Sequence, residues 1–299
     1  MKIKRFLTFC ALAALISSCT SVPAHQQAKH VVFIGMDGWG AYCMEKADMP
    51  NVKSMMENGS YTLQKRSVLP SSSAANWASM YMGAGPELHG YTTWGSQTPD
   101  LPPRVLGEDG MFPNVFALLR EKNPEAEIGN LYEWGGMRYV CDTTAMSLDY
   151  HSTGVSGVNL TEQAIKYIKE KKPLFVNIVF DQPDGVGHAV GHDTPEYYAK
   201  VHELDGYVGE IVQAVKDAGI YDETIFVLSS DHGGTNMGHG GKTMQEMESP
   251  FIICGKGIKK GHVIENSMMQ FDIAPTLAEI FDLEVPQVWI GRPMMEVFE

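Results

Sequence analysis

Six side chains that commonly bind metal ions stand in the segments that follow apolar runs whose pattern predicts β-strands. They are Asp37, Asp184, His188, Asp231, His232 and His239. Glycines surround them, and glycine permits the unusual backbone angles that tight turns require. Imidazole and carboxylate groups suit zinc, with manganese or another divalent ion as a weaker match. Six such ligands are too many for one tetrahedral ion, so their number predicts two.

A run of three serines, Ser71-Ser72-Ser73, precedes an apolar segment of helical character. A serine at a helix N-terminus lies among free backbone N–H groups and the positive end of the helix dipole, which suits an incoming phosphoryl group. A metal bound to the serine oxygen would lower its pKa and make it nucleophilic near neutral pH. On local evidence alone, however, a capped structural helix explains the segment better.

The elements that must position these residues alternate between apolar strands and amphipathic helices. We predict strands over residues 30–35, 174–180, 224–229 and 250–254, and helices over 160–171 and 197–215, with shorter ones over 114–120 and 273–281. This alternation is typical of an α/β fold, a mostly parallel sheet with helices on both faces. Ligands of such sheets collect at the carboxyl ends of the strands, where the six residues stand. No Pro/Gly-rich linker divides the chain, so we predict one domain.

Composition limits the classes of function. Of 299 residues, 44% are hydrophobic and 20% are charged, which is typical of a globular protein. The formal net charge of −13 would repel a polyanion, so we expect no bulk nucleic-acid binding. A small phosphate-bearing substrate is compatible with this charge, because a bound cation can reverse the local field.

The N-terminal residues predict export. A basic start and a short apolar run lead to Cys19, a pattern that resembles a bacterial lipoprotein signal. We expect a signal peptide over residues 1–18, lipidation of Cys19, a tether over 19–29 and the catalytic domain over 30–299, in a periplasmic or outer-membrane-anchored protein. Membrane contact would be through the lipid only. The alternative is cleavage by ordinary signal peptidase, with Cys19 incidental.

Three further cysteines, Cys43, Cys141 and Cys254, remain after the signal. Their odd number leaves at least one unpaired, and a buried free thiol is the default expectation. The sequence gives no indication of a particular pairing or of an oligomeric state.

The segments described above resemble the alkaline phosphatase superfamily, and within it the type I phosphodiesterase/nucleotide pyrophosphatase family. The resemblance extends over nearly all of the chain after the signal and includes Met49-Pro50-Asn51-Val52, Pro86-Glu87-Leu88-His89-Gly90, Phe271-Asp272-Ile273-Ala274-Pro275-Thr276 and Gly291-Arg292-Pro293. It implies two divalent ions, expected to be zinc, at the rim of the sheet. One would be held by Asp184, His188 and His239, and the other by Asp37, Asp231 and His232, with the nucleophile oxygen reaching the second.

The resemblance also selects a nucleophile. In the phosphatase and diesterase branches this residue stands ten positions before a helix-terminal glycine, and Gly83 therefore indicates Ser73, with Ser71 and Ser72 as alternatives. Asn76 resembles the asparagine by which diesterases bind a phosphate oxygen. Together with the N–H of Ala74, it is expected to hold the phosphoryl oxygens.

The implied activity is hydrolysis of phosphoric esters through a phosphoserine, as a phosphodiesterase or nucleotide pyrophosphatase. A phosphomonoesterase is the alternative, because diesterases usually carry threonine in place of Ser73 and proline in place of Ala75. Against a monoesterase, no arginine follows the helix to bind a doubly charged phosphate. A sulfatase is disfavoured because Ala75 and Trp77 replace the proline and arginine of that branch. A binding protein that keeps the fold without catalysis would lack a ligand or the nucleophile, and none is missing.

Substrate contacts are less specific in the sequence. Tyr91 and Trp94 could form a stacking wall for a base or sugar, although packed aromatic residues explain them equally well. Lys242 could reach a phosphate oxygen, or it could be an exposed loop lysine. His192, four residues after His188, occupies an ordinary loop position in the family pattern, and we assign it no role.

Overall fold

The computed structural model describes residues 22–154 and 156–299. The predicted signal peptide and Cys19 lie outside these residues. Eight strands are present in the described part of the chain: β1 (His30–Met36), β2 (Gly59–Arg66), β3 (Ile128–Tyr132), β4 (Leu148–His151), β5 (Phe175–Phe180), β6 (Thr224–Ser229), β7 (Glu248–Gly255) and β8 (His262–Val263).

The helices of the same residues are α1 (Cys43–Lys46), α2 (Pro50–Glu57), α3 (Ser73–Met82), α4 (Pro86–His89), α5 (Val115–Lys122), α6 (Met137–Val140), α7 (Val158–Lys171), α8 (Asp184–Val190), α9 (Pro195–Asp217), α10 (Met244–Met247) and α11 (Ile273–Ile280). In the described part of the chain, no helix is both long enough and apolar enough to cross a membrane.

The strands form one sheet in the order β4-β3-β5-β1-β6-β7-β2-β8. β1 pairs in parallel with both β5 and β6, and β3 pairs in parallel with β4 and β5. Among the strands of the described residues, only β7 runs antiparallel to both of its neighbours, β6 and β2. The predicted single α/β domain with a mostly parallel sheet is confirmed.

Helices cover the sheet on both faces, and β1 shows why its sequence is almost uniformly apolar. Val31 and Phe33 pack into the core between the sheet and helices α3, α5 and α11. Val32 and Ile34 pack into the core on the opposite face, against α2, α7 and α9. A central strand buried on both sides needs apolar residues at consecutive positions rather than at alternate ones.

The pairing register aligns the carboxyl ends of the three central strands. Met36 of β1 lies opposite Phe180 of β5, and Gly35 lies opposite Ser229 of β6. The loops that follow these strands therefore begin at the same edge of the sheet, which brings their polar residues together.

Residues before the predicted domain boundary at residue 30 pack on the domain. His25, in a short 3₁₀-helix (His25–Gln27), is buried, its ring stacks on Phe298 at 3.9 Å, and its Nε2 lies 3.2 Å from the Glu279 carboxylate. At least this part of the predicted tether packs on the domain, because an imidazole offers both an apolar face and a polar edge.

All three cysteines of the described residues are free and buried. Burial raises the pKa of the Cys254 thiol to about 12, so this thiol is protonated and unreactive at neutral pH. The expectation of buried free thiols is therefore confirmed for Cys43, Cys141 and Cys254.

Candidate active site

The six predicted metal ligands lie together at the carboxyl edge of the sheet. Two groups have ligand atoms that are all within 4.8 Å of one another: Asp184, His188 and His239 form one, and Asp37, Asp184 and His232 form the other. Asp184 belongs to both groups and so lies between them. Distant parts of the sequence therefore converge on one site, as the strand order requires.

The first group depends on a helix rather than on the glycine-rich turn that we predicted. Asp184 begins α8, and His188 stands one turn later on the same side, with its Nε2 3.1 Å from Asp184 Oδ2. His239, from the loop after β6, places its Nε2 3.7 Å from the same oxygen. Two imidazoles and one carboxylate thus face a common point.

The second group is almost completely enclosed, and Asp231 adjoins it. His232 Nε2 lies 3.1 Å from Asp231 Oδ2 and 3.7 Å from Asp37 Oδ1, and Asp37, Asp231 and His232 are all buried. The rings of His232 and His239 stack at 3.8 Å, which connects this group to the first.

Each of the three histidines is oriented by a backbone carbonyl. The Nδ1 atoms of His188, His232 and His239 lie 3.0, 2.8 and 3.0 Å from the carbonyl oxygens of Met237, Gly233 and Ser71, respectively. A carbonyl oxygen can only accept, so each ring carries a proton on Nδ1 and turns its Nε2 toward the site, where a deprotonated Nε2 would bind a metal. This second contact is the usual one for a metal-binding histidine.

In each carboxylate of the site, one oxygen accepts a hydrogen bond and the other does not. Asp37 Oδ2 accepts a hydrogen bond from Trp77 Nε1 at 3.1 Å, and Asp231 Oδ1 accepts from the N–H groups of Gly38 and His232 at 3.1 and 2.9 Å. Asp37 Oδ1, Asp231 Oδ2 and Asp184 Oδ1 are buried without a hydrogen-bond partner among the described residues. Buried polar atoms without partners are rare in native proteins, and two divalent ions would satisfy these oxygens.

The electrostatics of the site lead to the same conclusion. Burial, reinforced by the Asp231 and Asp184 carboxylates, raises the pKa of Asp37 well above its ordinary value. Burial likewise raises the pKa of Asp231 to about 8 and lowers that of His232 to about 3. A hydrogen bond to Asp184 raises the pKa of His188 to about 9. Without cations, Asp37, Asp231 and His232 therefore resist ionisation, whereas His188 is held in its charged form by Asp184.

Of the three adjacent serines, Ser73 is the one that contacts a predicted metal ligand, His232. It begins α3, it is buried, and its Oγ lies 3.4 Å from His232 Nε2. Ser71 Oγ instead donates to the carbonyl oxygen of Gly241 at 2.7 Å. Ser72 Oγ is buried with no partner among the described residues. The structure thus places the predicted nucleophile beside the predicted ligands.

A cavity of about 710 Å³ opens onto this group. Ser73, Asp37, Asp184, His188 and His239 contribute to its wall. Trp94 stands at its rim with 67% of its surface exposed, as the sequence allowed. The rest of the wall is formed by Pro70, Ser72, Thr92, Thr93, Trp134, Asp181, Gly185, Gly238 and Gly240.

Asn76 does not lie at this cavity, and the phosphate-binding role that we expected is wrong for this structure. Its side chain is buried: Oδ1 accepts from the N–H of Val68 at 2.7 Å, and Nδ2 donates to the carbonyl oxygens of Pro70 and Ser72 at 3.0 Å each. The amide fixes the backbone before the nucleophile. The expected role of the Ala74 N–H is wrong too, since it donates to the carbonyl oxygen of Trp94 at 3.2 Å.

Two predicted substrate contacts are also absent from the cavity wall. Tyr91 is buried in the core, where its hydroxyl donates to the carbonyl oxygen of Tyr139 at 2.6 Å. Packing thus explains this residue better than substrate stacking. Lys242 is an exposed loop residue outside the wall, which agrees with its alternative interpretation.

Three residues near the site had no role in the sequence analysis. Trp134 and Asp181 line the cavity, and each follows the end of a parallel strand, which is the signal that could have identified them. His192 is buried, and its Nε2 lies 3.5 Å from Asp184 Oδ1. Its ring rests against Gly187 and Gly234, where any Cβ would come within 2.3 Å of it. His192 therefore lies next to the predicted ligand Asp184 without lining the cavity itself.

Comparison with known protein families gives one match that extends over most of the chain. Residues 31–105 and 133–251 match the family described as type I phosphodiesterase / nucleotide pyrophosphatase. These ranges contain all six predicted ligands and Ser73.

Curated relatives come from several classes of enzyme, among them a sulfatase and a phosphodiesterase. Arylsulfatase K of Xenopus laevis is 36% identical over 104 residues, which is 33% of this chain and 19% of that protein. Venom phosphodiesterase 2 of Crotalus adamanteus is 22% identical over 237 residues, which is 73% of this chain and 28% of that protein. The chain thus spans well under half the length of either relative.

Solved structures of low sequence identity share the fold. Human ectonucleotide pyrophosphatase / phosphodiesterase 5 superposes with a TM-score of 0.73 at 14% identity, covering 90% of this chain and 100% of that one. The murine protein in complex with AMP has a TM-score of 0.71 at 14% identity and covers 86% and 96%. A 2-O GAG sulfatase has a TM-score of 0.73 at 15% identity and covers 90% and 73%.

Proposed function

Because this chain belongs to the type I phosphodiesterase / nucleotide pyrophosphatase family, within the alkaline phosphatase superfamily, we propose that it is a metal-dependent hydrolase of phosphoric diesters. The observation that carries the proposal is the position of Ser73. Its Oγ lies 3.4 Å from His232 Nε2, beside the second ligand group. A nucleophile at the edge of a two-metal cluster is suited to phosphoryl transfer.

Two divalent ions, one at Asp184, His188 and His239 and the other at Asp37, Asp231 and His232, would act as Lewis acids on the phosphoryl group and lower the pKa of the serine hydroxyl. The mixture of imidazole and carboxylate ligands favours zinc. The unpartnered oxygens of Asp37, Asp184 and Asp231 support this assignment.

Ser73 is the group that forms and releases the covalent intermediate. Its Oγ bonds to phosphorus as the bond to one ester oxygen breaks, and the serine proton leaves with the departing alcohol. Water then cleaves the phosphoseryl ester and restores the hydroxyl. Ser73 is the first residue of α3, a position whose N–H has no acceptor within the helix, so this N–H would donate to a phosphoryl oxygen in the role that we had expected of Asn76 and Ala74.

The composition of the cavity wall supports a diester rather than a monoester. No Lys or Arg is among the residues that line it in the described part of the chain. A monoester dianion gains more than a diester monoanion from such additional positive charge. We therefore propose phosphodiester hydrolysis first, and phosphomonoester hydrolysis as the second candidate.

A sulfatase is the remaining alternative within the superfamily, because sulfatases are among the structural and sequence relatives. Ala75 and Trp77 after Ser73 disfavour it, since the sulfatase branch requires Pro and Arg at these positions. Both residues are buried in α3, and the Trp77 indole N–H already donates a hydrogen bond to Asp37.

The test compares bis-p-nitrophenyl phosphate, p-nitrophenyl phosphate and p-nitrophenyl sulfate with the zinc-loaded protein and two matched variants. Ser73→Ala should retain both metals and lose at least about a thousandfold in kcat on the diester. Ser72→Ala is the control. Ser72 Oγ has no hydrogen-bond partner within residues 22–154 and 156–299, so this variant should retain most of the rate. Retained turnover in Ser73→Ala, or a preference for the sulfate, would refute the proposal.

We also propose that the chain is an exported lipoprotein anchored through Cys19. Cys19→Ala should move the protein from the membrane fraction to the soluble fraction of cells that express it. An unchanged membrane fraction would contradict lipidation at this residue.

A further inference from the structure

Two fully buried polar side chains lie beside the loop that carries Asp231 and His232 without lining the cavity. They are Lys65 of β2 and Gln270, which stands in a short 3₁₀-helix (Gln270–Asp272) directly before α11. Burial lowers the pKa of Lys65 to about 7, so its ionisation opposes folding at neutral pH. Stability alone therefore does not explain a lysine at this position.

The two side chains meet at the carbonyl oxygen of Ser230, the residue before Asp231. Lys65 Nζ donates to this oxygen at 2.8 Å, and Gln270 Nε2 donates to it at 3.2 Å. The hydroxyl of Ser249 adds a longer contact of 3.4 Å. The peptide group that leads into the ligand loop is therefore held by donors from three separate parts of the chain.

Gln270 also contacts the helix that carries the nucleophile. Its Nε2 donates at 3.4 Å to the carbonyl oxygen of Asn76, which stands about one turn after Ser73 in α3. A side-chain amide nitrogen carries two hydrogens, one for each carbonyl oxygen. A single nitrogen atom thus connects the nucleophile helix to the loop that carries the ligands of the second group.

Lys65 determines which way this amide faces. Its Nζ donates to Gln270 Oε1 as well as to Ser230. Because an ammonium group can only donate, the amide oxygen must face Lys65, and the amide nitrogen must face the two carbonyl oxygens. An amide rotated by half a turn would place Oε1 against both carbonyl oxygens and lose these contacts.

We propose that Lys65 and Gln270 form a bridge that positions Ser73 against the second ligand group. The amide sets the separation between α3 and the loop of Asp231 and His232, and the lysine holds the amide in the orientation that this requires. Both are positioning residues, since neither lines the cavity. This inference rests on the proposed role of Ser73 as the nucleophile and adds the residues that hold it in place.

Three variants separate positioning from stability. Lys65→Met and Gln270→Met each leave the other polar group in the core without its partner, so each should lower the Tm. The double variant removes both groups. Replacing both partners of a buried hydrogen bond by apolar side chains is nearly neutral, so the double variant should regain most of the lost Tm. Its kcat should stay low, because the bridge is still absent.

The measurements are kcat and KM on bis-p-nitrophenyl phosphate, the zinc content, and crystal structures of the metal-free proteins. A displacement of 1 Å at a reacting group costs about a hundredfold in rate. We expect the double variant to lose about tenfold in kcat, with KM within about twofold and two zinc ions bound. The distance from Ser73 Oγ to His232 Nε2, 3.4 Å in the wild type, should increase by about 0.5 Å.

Ser249→Ala is the control, because it removes only the longest of the three contacts to the Ser230 carbonyl oxygen and leaves the bridge intact. It should keep the wild-type kcat. Gln270→Glu retains the oxygen that faces Lys65 and removes the bridging N–H groups. It should lose kcat as the double variant does, and it takes the place of that variant if the latter does not fold.

The outcomes separate this inference from the proposed function. A double variant that regains both its Tm and the wild-type kcat would overturn the bridge, because the two residues would then serve stability alone. An unchanged distance between Ser73 and His232 would overturn it too, as would loss of a zinc ion, since the residues would then hold the ligands rather than the nucleophile. If the wild type cleaves no diester, the hydrolase proposal fails, and the crystallographic distance alone decides whether the bridge stands.

Discussion

Replacing Asp231 by Asn should stabilise the metal-free protein and destabilise the metal-loaded one. Asp231 is fully buried, and its Oδ1 accepts two backbone N–H groups, which an amide oxygen can also do. Its Oδ2 has no hydrogen-bond partner in the part of the chain that the structure describes, and it lies 3.1 Å from His232 Nε2. In the variant, an amide Nδ2 at this position could donate to that nitrogen, because the His232 proton resides on Nδ1.

The magnitude follows from the pKa of Asp231. Burial raises it from 3.8 to about 8, and a change of one in pKa corresponds to about 1.4 kcal/mol. Near pH 7.5 the full rise in the pKa of Asp231 would therefore disfavour folding by about 5 kcal/mol. The Asp37 carboxylate repels the same neighbours and remains in the variant. We therefore expect Asp231→Asn to raise the free energy of unfolding of the metal-free protein by about 2 kcal/mol, or its Tm by about 5 °C.

The sign of the pH dependence follows from the same values. An acid whose pKa is raised in the folded state binds more protons there than in the unfolded chain between pH 3.8 and about 8. The metal-free protein should therefore lose stability as pH rises through this window, and the Asn variant should lose less. With zinc at about one hundred times its Kd, the wild type should gain about 2.7 kcal/mol per site, and the variant should lose most of this gain at one site.

Thermal unfolding with chelator and with zinc, at several pH values, measures these effects. Asp205→Asn is the control, because both Asp205 oxygens already accept hydrogen bonds from Asn51 and Val52 of α2. It should destabilise the protein equally with and without metal. If Asp231→Asn behaves like Asp205→Asn, the reasoning about an unneutralised carboxylate cluster is wrong.

Three further predictions concern the groups around the ligands. Trp77→Phe removes the indole N–H that binds Asp37 and should weaken zinc affinity about tenfold, measured by competition with a fluorescent chelator, whereas an unchanged affinity would exclude an orienting role. Because Asp184 raises the pKa of His188 to about 9, zinc must displace a proton there. Apparent affinity should rise about tenfold per pH unit up to pH 9, and a flat profile would contradict this. Asn76→Ala should lower stability by about 1–3 kcal/mol in denaturant titrations without loss of bound metal; metal loss would indicate a direct site role.

The central strands were predictable because burial on both faces imposes a continuous apolar sequence. The predicted segment 224–229 coincides with β6, and 174–180 differs from β5 by one residue. β2 was not predicted, since polar residues interrupt it, including Lys65. In the folded chain this lysine is fully buried and donates to the carbonyl oxygen of Ser230 at 2.8 Å. Only tertiary structure makes such a residue compatible with a strand.

The candidate ligands were predictable because aspartate and histidine recur after several parallel strands. The carboxyl ends of such strands lie at one edge of the sheet, so this recurrence indicates a shared site. Asn76 was misassigned, because an amide binds a backbone carbonyl as readily as a phosphate oxygen and the sequence does not indicate which one lies nearby. Tyr91 was misassigned for a similar reason, since a tyrosine suits a core as well as a stacking wall. Trp134 was missed because β3, which it follows, was not predicted.

Anomalous diffraction from crystals of the zinc-loaded protein tests the central claim most directly. We predict two peaks. One should be bound by Asp184, His188 and His239, and the other by Asp37, Asp231 and His232, with Ser73 Oγ in the coordination sphere of the second. A single ion, or two ions with Ser73 outside their coordination spheres, would contradict the proposed two-metal site and its nucleophile.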